Sequence, residues 1–239
     1  MLPSPGEDAD KAGPVRAMFS QIAGSYDALN RLFTAGIDLL WRREAALEVL
    51  SCGPKEVLDL ATGTGDLALA LARLAPELEI TACDFTEAML ERARHKAERA
   101  GLAVHFLQGD ALALPFGENR FDAVCCAFGF RNFADFGAAL SEILRVLKPQ
   151  GKLVILELSP PGRSLTSLLY RAYFEQLLPV LGERLSGQAA YRYLPASVAA
   201  FPSPEALAQR MRSCGFQARY RRLSGGIAAL HVGVKPEVA

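Results

Sequence analysis

The chain has 239 residues, 51% of them hydrophobic, with 26 Lys and Arg against 26 Asp and Glu. That length and apolar content exclude disorder as the main state and fit one domain with a sizeable core, while the zero net charge removes the usual electrostatic ground for a nucleic-acid partner. Five cysteines with no CxxC pair and three scattered histidines point away from a disulfide framework or a metal centre and toward a reducing, cytoplasmic setting.

Residues 1–14 are acidic and proline-rich, lack the apolar core of a signal peptide, and read as a mobile tail. From residue 15 the single remaining domain opens with a helical cap over 15–50. Val15, Met18, Phe19, Ile22 and Tyr26 recur at helical spacing, and a second amphipathic stretch runs over 38–50 with Trp41 inside it. The first strand follows at 56–60 and enters the turn Ala-Thr-Gly-Thr-Gly-Asp, residues 61–66. Gly63 and Gly65 give that turn access to positive φ and remove Cβ atoms that would hold a ligand off the backbone. A helix over 66–74 then offers its unpartnered first N–H groups to acidic ligand groups.

A second strand over 78–83 delivers Asp84, near the ~20-residue spacing of a carboxylate that accepts hydrogen bonds from a ribose diol. Thr86 is placed to cap a helix that ends near Gly101. A third strand, 103–107, leads to Asp110 and Ala111, where a carboxylate with nearby backbone groups can accept from an adenine amino group. Strand four spans 121–128, a helix begins at Asp135 and ends at Lys148-Pro149, and strand five is 152–158. Beyond it, 160–205 departs from simple alternation and reads as a substrate-side insertion. It holds a Leu- and Tyr-rich helical region over 164–185, then a proline-punctuated loop over 194–204. Two last strands, 216–223 and 227–234, meet at Ser224-Gly225-Gly226, a hairpin signal. The alternation implies a doubly wound, seven-stranded, mostly parallel α/β sheet of Rossmann-like plan with an antiparallel last strand, and ligands bind outside the carboxyl ends of its parallel strands. No run approaches the ~20 apolar residues of a membrane span, so any membrane contact is peripheral.

Spacing alone leaves the cofactor open. Gly63, Gly65 and Ala68 also satisfy the looser dinucleotide fingerprint, so a nicotinamide oxidoreductase stays in view beside S-adenosylmethionine. The third acid, Asp110, favours the latter, which carries one nucleoside and no pyrophosphate. A non-catalytic S-adenosylmethionine-binding protein is the third reading.

Several segments resemble the class I methyltransferases that C-methylate ubiquinone and menaquinone precursors: residues 18–30 with Tyr26-Asp27, 59–66, 113–116 with 119–122, Phe-Gly-Phe-Arg-Asn at 128–132, 145–149, and Gly-Gly-Ile-Ala-Ala-Leu-His-Val at 225–232. The resemblance runs from about residue 15 to 235. It implies a C-methyltransferase acting on a polyprenyl quinol, either demethylmenaquinol or the benzoquinol of ubiquinone synthesis; the apolar residues around 125–133, and no motif, put demethylmenaquinol first. It places cofactor contacts at Thr64, Asp84, Asp110, Ala111 and Ala127, beside the loop residues Asp59, Gly63 and Gly65. Ala61 stands where the general pattern has glycine. Methylation at a ring carbon needs an adjacent hydroxyl made phenolate-like, which assigns Arg131 as the cation that lowers its pKa, Asn132 as its orienting partner, and Tyr26 as a lid over the site. Phe128 to Phe133 and Cys125-Cys126 are expected to form an apolar ring pocket. The pairs Leu168-Leu169, Tyr173-Phe174 and Leu177-Leu178 fit a cover for the prenyl tail or a rest on the inner face of the membrane, and equally a helix packed into the domain; a homodimer is left open.

Overall fold

The computed structural model describes residues 6–34, 36–160 and 190–237. Three helices, α1 (Ala12–Ile22), α2 (Tyr26–Thr34) and α3 (Ile37–Leu50), precede the first strand. The expected stripe that ran unbroken to Tyr26 is interrupted: the Ser25 N–H bonds to the Ile22 carbonyl at 2.9 Å, and Tyr26 opens a new helix. Gly24 and Ser25 supply little helix propensity to carry α1 across.

The alternating part then runs β1 (Glu56–Leu60), α4 (Asp66–Leu74), β2 (Glu79–Asp84), α5 (Glu87–Ala100), β3 (His105–Gln108), β4 (Phe121–Ala127), α6 (Phe136–Val146) and β5 (Leu147–Leu158). After residue 190 come α7 (Ala190–Ala200), α8 (Pro204–Ser213), β6 (Gln217–Leu223) and β7 (Ala228–Val234). The seven strands lie in the order β3-β2-β1-β4-β5-β7-β6. The first five pair in parallel, and β7 inserts antiparallel between β5 and the edge strand β6. The doubly wound, mostly parallel sheet expected from the alternation is the fold.

Alternation along the strands distributes the core to the two faces of the sheet. Val57 packs with Trp41, Ala45, Val49 and Leu71 of α3 and α4. Its neighbour Leu58 faces the other way, toward Leu140 and Ile143 of α6 and Leu207 and Met211 of α8. Each such leucine, fully removed from water, contributes roughly 1.5–3 kcal/mol. β5 begins five residues ahead of its expected start because Leu147 already pairs with Phe121. The register then shifts before Ala123 pairs with Lys152.

Two further expectations are corrected. Residues 194–200, read as loop because of Pro195, are helical, since Tyr193, Ser197 and Val198 bury one face of α7 and outweigh the missing N–H. Residues 6–11, read as tail, are docked: Glu7 accepts from the Phe136 N–H at 3.0 Å and pairs with Arg210 at 2.6 Å, and the Lys11 ammonium donates to the Arg131 carbonyl at 3.1 Å. Burial lowers the Lys11 pKa to about 8. The helical region expected over 164–185 and the apolar pairs within it lie outside the described residues.

Candidate active site

The carboxyl ends of β1, β2 and β4 open into a cleft roofed by α1 and α2, through Val15, Phe19 and Tyr26. With the open solvent at its mouth included, its empty space is about 1070 Å³.

The floor is the turn after β1. Ala61, Gly63 and Gly65 all hold positive φ, at 49°, 57° and 83°. At Gly63 the left-handed backbone disfavours a side chain, and a Cβ there would come into ordinary contact with the Tyr26 ring at 3.9 Å. Ala61 keeps a methyl where the general pattern has none, and the chain compensates opposite it. A Cβ on Gly129 would stand 2.5 Å from that of Ala61, so the turns after β1 and β4 close on each other only because position 129 is glycine.

Asp59 lies beneath this turn, buried, accepting from the Thr62 hydroxyl at 2.5 Å with the Cys125 thiol 3.5 Å away. Burial raises its pKa from 3.8 to about 6 against those hydrogen bonds. Asp84, at the end of β2, accepts from the Gly63 N–H through one oxygen and the Thr86 N–H through the other, both at 2.8 Å. Burial pushes its pKa up while the two amides pull it down. Thr86 holds the cap position of α5, yet its hydroxyl makes no capping bond. Asp110 is exposed at the β3 end, where it accepts from the Leu112 N–H at 2.9 Å. Asp59, Gly63, Thr64, Asp84, Asp110, Ala111 and Ala127 all line the cleft. Gly65 does not; it sets the left-handed start of α4 behind the turn, where a Cβ would press on Ala93 at 3.1 Å.

Above the turn, charges tie α2 to its neighbours. The Thr64 hydroxyl donates to Asp27. The Lys96 ammonium bridges Asp27 at 2.7 Å and Asp66 at 2.5 Å, and Arg31 joins Asp66 at 3.0 Å and Asp38. Asp38 also accepts from Arg42, one helical turn on.

The three residues assigned to chemistry separate. Tyr26 and Asn132 line the cleft. The Asn132 side-chain oxygen accepts from the Tyr193 hydroxyl at 3.0 Å, which fixes the amide plane. Tyr26 meets Phe19 edge-on at 5.9 Å, and burial raises its hydroxyl pKa, with Arg131 and Asn30 opposing. Arg131 turns away. It is only 5% exposed, and its guanidinium pairs with Glu157 at 2.8 Å and donates to the Phe128 carbonyl, outside the cleft lining. Glu157, 1% exposed and one residue before the end of β5, is the physical reason: a carboxylate so deep requires a cation. Burial alone would lower the Arg131 pKa, and Glu157, with Tyr26 and Tyr193, raises it instead. The expected ring pocket is likewise half right. Phe128 and Phe133 line the cleft, whereas Cys125, Cys126 and Phe130 are sealed in the core.

The cleft also holds a residue the sequence reading passed over. Arg42 sits on the buried side of α3 beside Trp41, 6% exposed, with its guanidinium 4.8 Å over the Phe128 ring. An Asp-Arg pair at i, i+4 within a buried helical stripe is the signal that would have found it. With Asp59, Asp66, Asp84 and Asp110, it completes the charged cleft lining among the described residues. Four carboxylates and one guanidinium suit a ligand with more positive than negative groups, as S-adenosylmethionine has. They do not suit a pyrophosphate, because Asp66 already fills the first turn of α4, where one would seat.

Comparison with known proteins identifies the family and the fold. The profile of the ubiE/COQ5 methyltransferase family matches residues 7–235. A demethylmenaquinone methyltransferase of Thermus thermophilus is 56% identical over 220 residues, covering 92% of this chain and 100% of that protein. One of Deinococcus radiodurans is 52% identical over 234 residues, covering 98% and 97%. A ubiquinone/menaquinone biosynthesis C-methyltransferase of Cereibacter sphaeroides is 40% identical, covering 95% and 93%. Among solved structures, an S-adenosylmethionine-dependent methyltransferase of Thermotoga maritima superposes with a TM-score of 0.66 at 22% identity, covering 92% and 99%. A [4+2]-cyclase does so at 0.63 and 21%, covering 98% and 99%; such distant likeness is a matter of fold.

Proposed function

The chain belongs to the ubiE/COQ5 methyltransferase family, and we propose that it moves the methyl group of S-adenosylmethionine to a ring carbon of demethylmenaquinol, giving menaquinol. The observation that carries this reading is the identity of 52–56% to relatives named for that reaction over nearly their whole length. The relative named for both quinones stands at 40%, so the naphthoquinol is placed first and the benzoquinol second.

The cofactor supplies an electrophilic methyl on a cationic sulfur; the chain supplies position, dryness and charge. Asp84 faces the cleft, oriented by the Gly63 and Thr86 amides, and accepts from a ribose diol. Asp110 and Ala111 take the adenine edge. Asn132, with its oxygen engaged by Tyr193, presents its N–H groups to the quinol hydroxyl. Tyr26 stays protonated under its raised pKa and donates to the same oxygen as negative charge develops there. Arg131 works from behind the wall. It holds Phe128 through the carbonyl, carries Asn132 as its chain neighbour, and its field reaches the hydroxyls of Tyr26 and Tyr193. It is a positioning residue in this reading.

Among the described residues no helix is long and apolar enough to cross a membrane. The prenyl tail of the quinol nevertheless requires a lipid source, so the enzyme is proposed to meet its substrate as a peripheral visitor to a membrane face. The test is direct: incubate the protein with methyl-labelled S-adenosylmethionine and short-chain demethylmenaquinol, and follow ring methylation by mass spectrometry. Label in the naphthoquinol ring is expected. Label only in a benzoquinol supplied in parallel would reverse the order of the two readings, and label in neither would sink both.

A further inference from the structure

Among the described residues that line the cleft Arg42 is the one cation, and the cofactor reading has so far given it no ligand group. Arg42 shares Asp38 with Arg31, and against burial it helps Lys96 and Arg31 hold Asp66 below the usual carboxylate range, although only Lys96 and Arg31 contact that carboxylate. The Arg42 guanidinium is fixed: Nη1 donates to Asp38, and one face lies on Phe128. A planar fork clamped on one edge and one face leaves its remaining N–H groups aimed in a defined direction, and among the described residues none of them has a protein acceptor.

The sheet order says what reaches it. Asp110, Asp84, the Gly63 turn and Phe128 follow β3, β2, β1 and β4, which are adjacent in that sequence across the sheet. Neighbouring strands lie about 4.8 Å apart, so the span from β3 to β4 is roughly 14 Å. With the nucleoside at Asp84 and Asp110, the amino-acid end of S-adenosylmethionine extends past the turn toward β4 and α3, where Arg42 waits. That end carries the ligand's only anion.

We propose that Arg42 binds the α-carboxylate of S-adenosylmethionine. This rests on the cofactor reading above and assigns a residue to it. A charge-assisted bond between guanidinium and carboxylate, made out of bulk water, discriminates roughly 10–100-fold in affinity.

Titration calorimetry with two ligands isolates the bond: S-adenosylmethionine, and its decarboxylated analogue, which keeps the nucleoside, sulfonium and amine. The wild-type protein is expected to bind the former roughly 10–100-fold more tightly. Arg42→Gln should erase most of that ratio by weakening S-adenosylmethionine alone, and Arg42→Lys should restore part of it. Equal wild-type affinity for the two ligands overturns the proposal without need of any variant. So does an equal loss for both ligands in Arg42→Gln, which would make Arg42 a prop of the cleft. Failure of the wild type to bind either ligand would overturn the cofactor reading itself, and the assignment with it.

Discussion

At the carboxyl end of β2, Asp84 faces the cleft and is held by two backbone amides; at the end of β4, Arg131 faces the core and is held by Glu157. Both are nearly buried charged residues at strand ends in a ligand-binding fold, yet only one is available to a ligand. The difference lies in the partner. Backbone amides lower the cost of a buried carboxylate without using up its lone pairs, so the group stays chemically open. A side-chain counterion neutralises and commits the group, because parting the pair leaves a naked charge in a low-dielectric interior.

The sharpest way to break this contrast is to remove the two charges in turn. Arg131→Ala should destabilise the fold by about 3–5 kcal/mol in denaturant unfolding, since it strands Glu157. A loss below about 1 kcal/mol, the value of an exposed pair, would show that Arg131 is free to serve the cleft. The double variant Arg131→Met with Glu157→Leu should recover much of the stability but not the activity, because Phe128 loses its carbonyl partner.

A second test uses pH. Asp59, lifted to about 6, holds its proton more tightly in the fold than in the unfolded chain, so it adds stability as pH falls from about 6 toward 4. His231 does the reverse. Its pKa is lowered to about 4 by burial, so between 6.5 and 4 the unfolded chain takes up the proton first and stability falls. The two slopes oppose each other across one window. Asp59→Asn should therefore expose a loss of roughly 2–3 kcal/mol between pH 6.5 and 4 that the parent protein conceals. Stability curves of parent and variant that stay parallel over that window would place both groups in a wetter setting.

Asp84→Ala should weaken S-adenosylmethionine binding by ~1.5–3 kcal/mol in calorimetry with a smaller effect on unfolding than Arg131→Ala, the mirror image of that substitution. If unfolding suffers more than binding, the amides of Gly63 and Thr86 depend on Asp84 as strictly as Glu157 depends on Arg131, and the contrast fails. The smallest expected effect concerns the turns that hold both ends together. Gly129→Ala should cost about 1–3 kcal/mol by overpacking, and Ala61→Gly should relieve part of that in the double variant because the first atom met is the Ala61 methyl. Strict additivity of the two changes would mean the turns do not touch in solution.

The same contrast explains what could be read from the chain alone. The ends of β1, β2 and β3 were legible because each apolar run stops at Asp or Gly, and the parallel sheet then brings Asp84 and Asp110 to one edge. Arg131 was placed at the correct strand end and on the wrong side of its wall. Which way a strand-end arginine turns is decided by Glu157, a lone acid in the run Val154-Ile155-Leu156-Glu157-Leu158; its meaning depends on which strand lies beside β4. Arg42 was hidden for the related reason that an arginine on an amphipathic helix reads as solvated until the helix is docked. The break before Tyr26 and the helix around Pro195 were set by packing that no local preference announces.

One last feature bears on how the cleft exchanges its contents. Its two roof helices are fastened by unlike means. α1 is seated by apolar contact, Ile22 and Ala23 against Met89 of α5, whereas α2 is moored by half-exposed ions: Asp27, Lys96 and Arg31. Apolar contact is indifferent to dissolved salt, but ion pairs within reach of water are screened over a Debye length of about 8 Å at physiological ionic strength. The roof therefore has a hinge side and a latch side, and the latch answers to the electrolyte. How fast ligands come and go is set partly by the medium in which the enzyme sits, while the fold beneath is not.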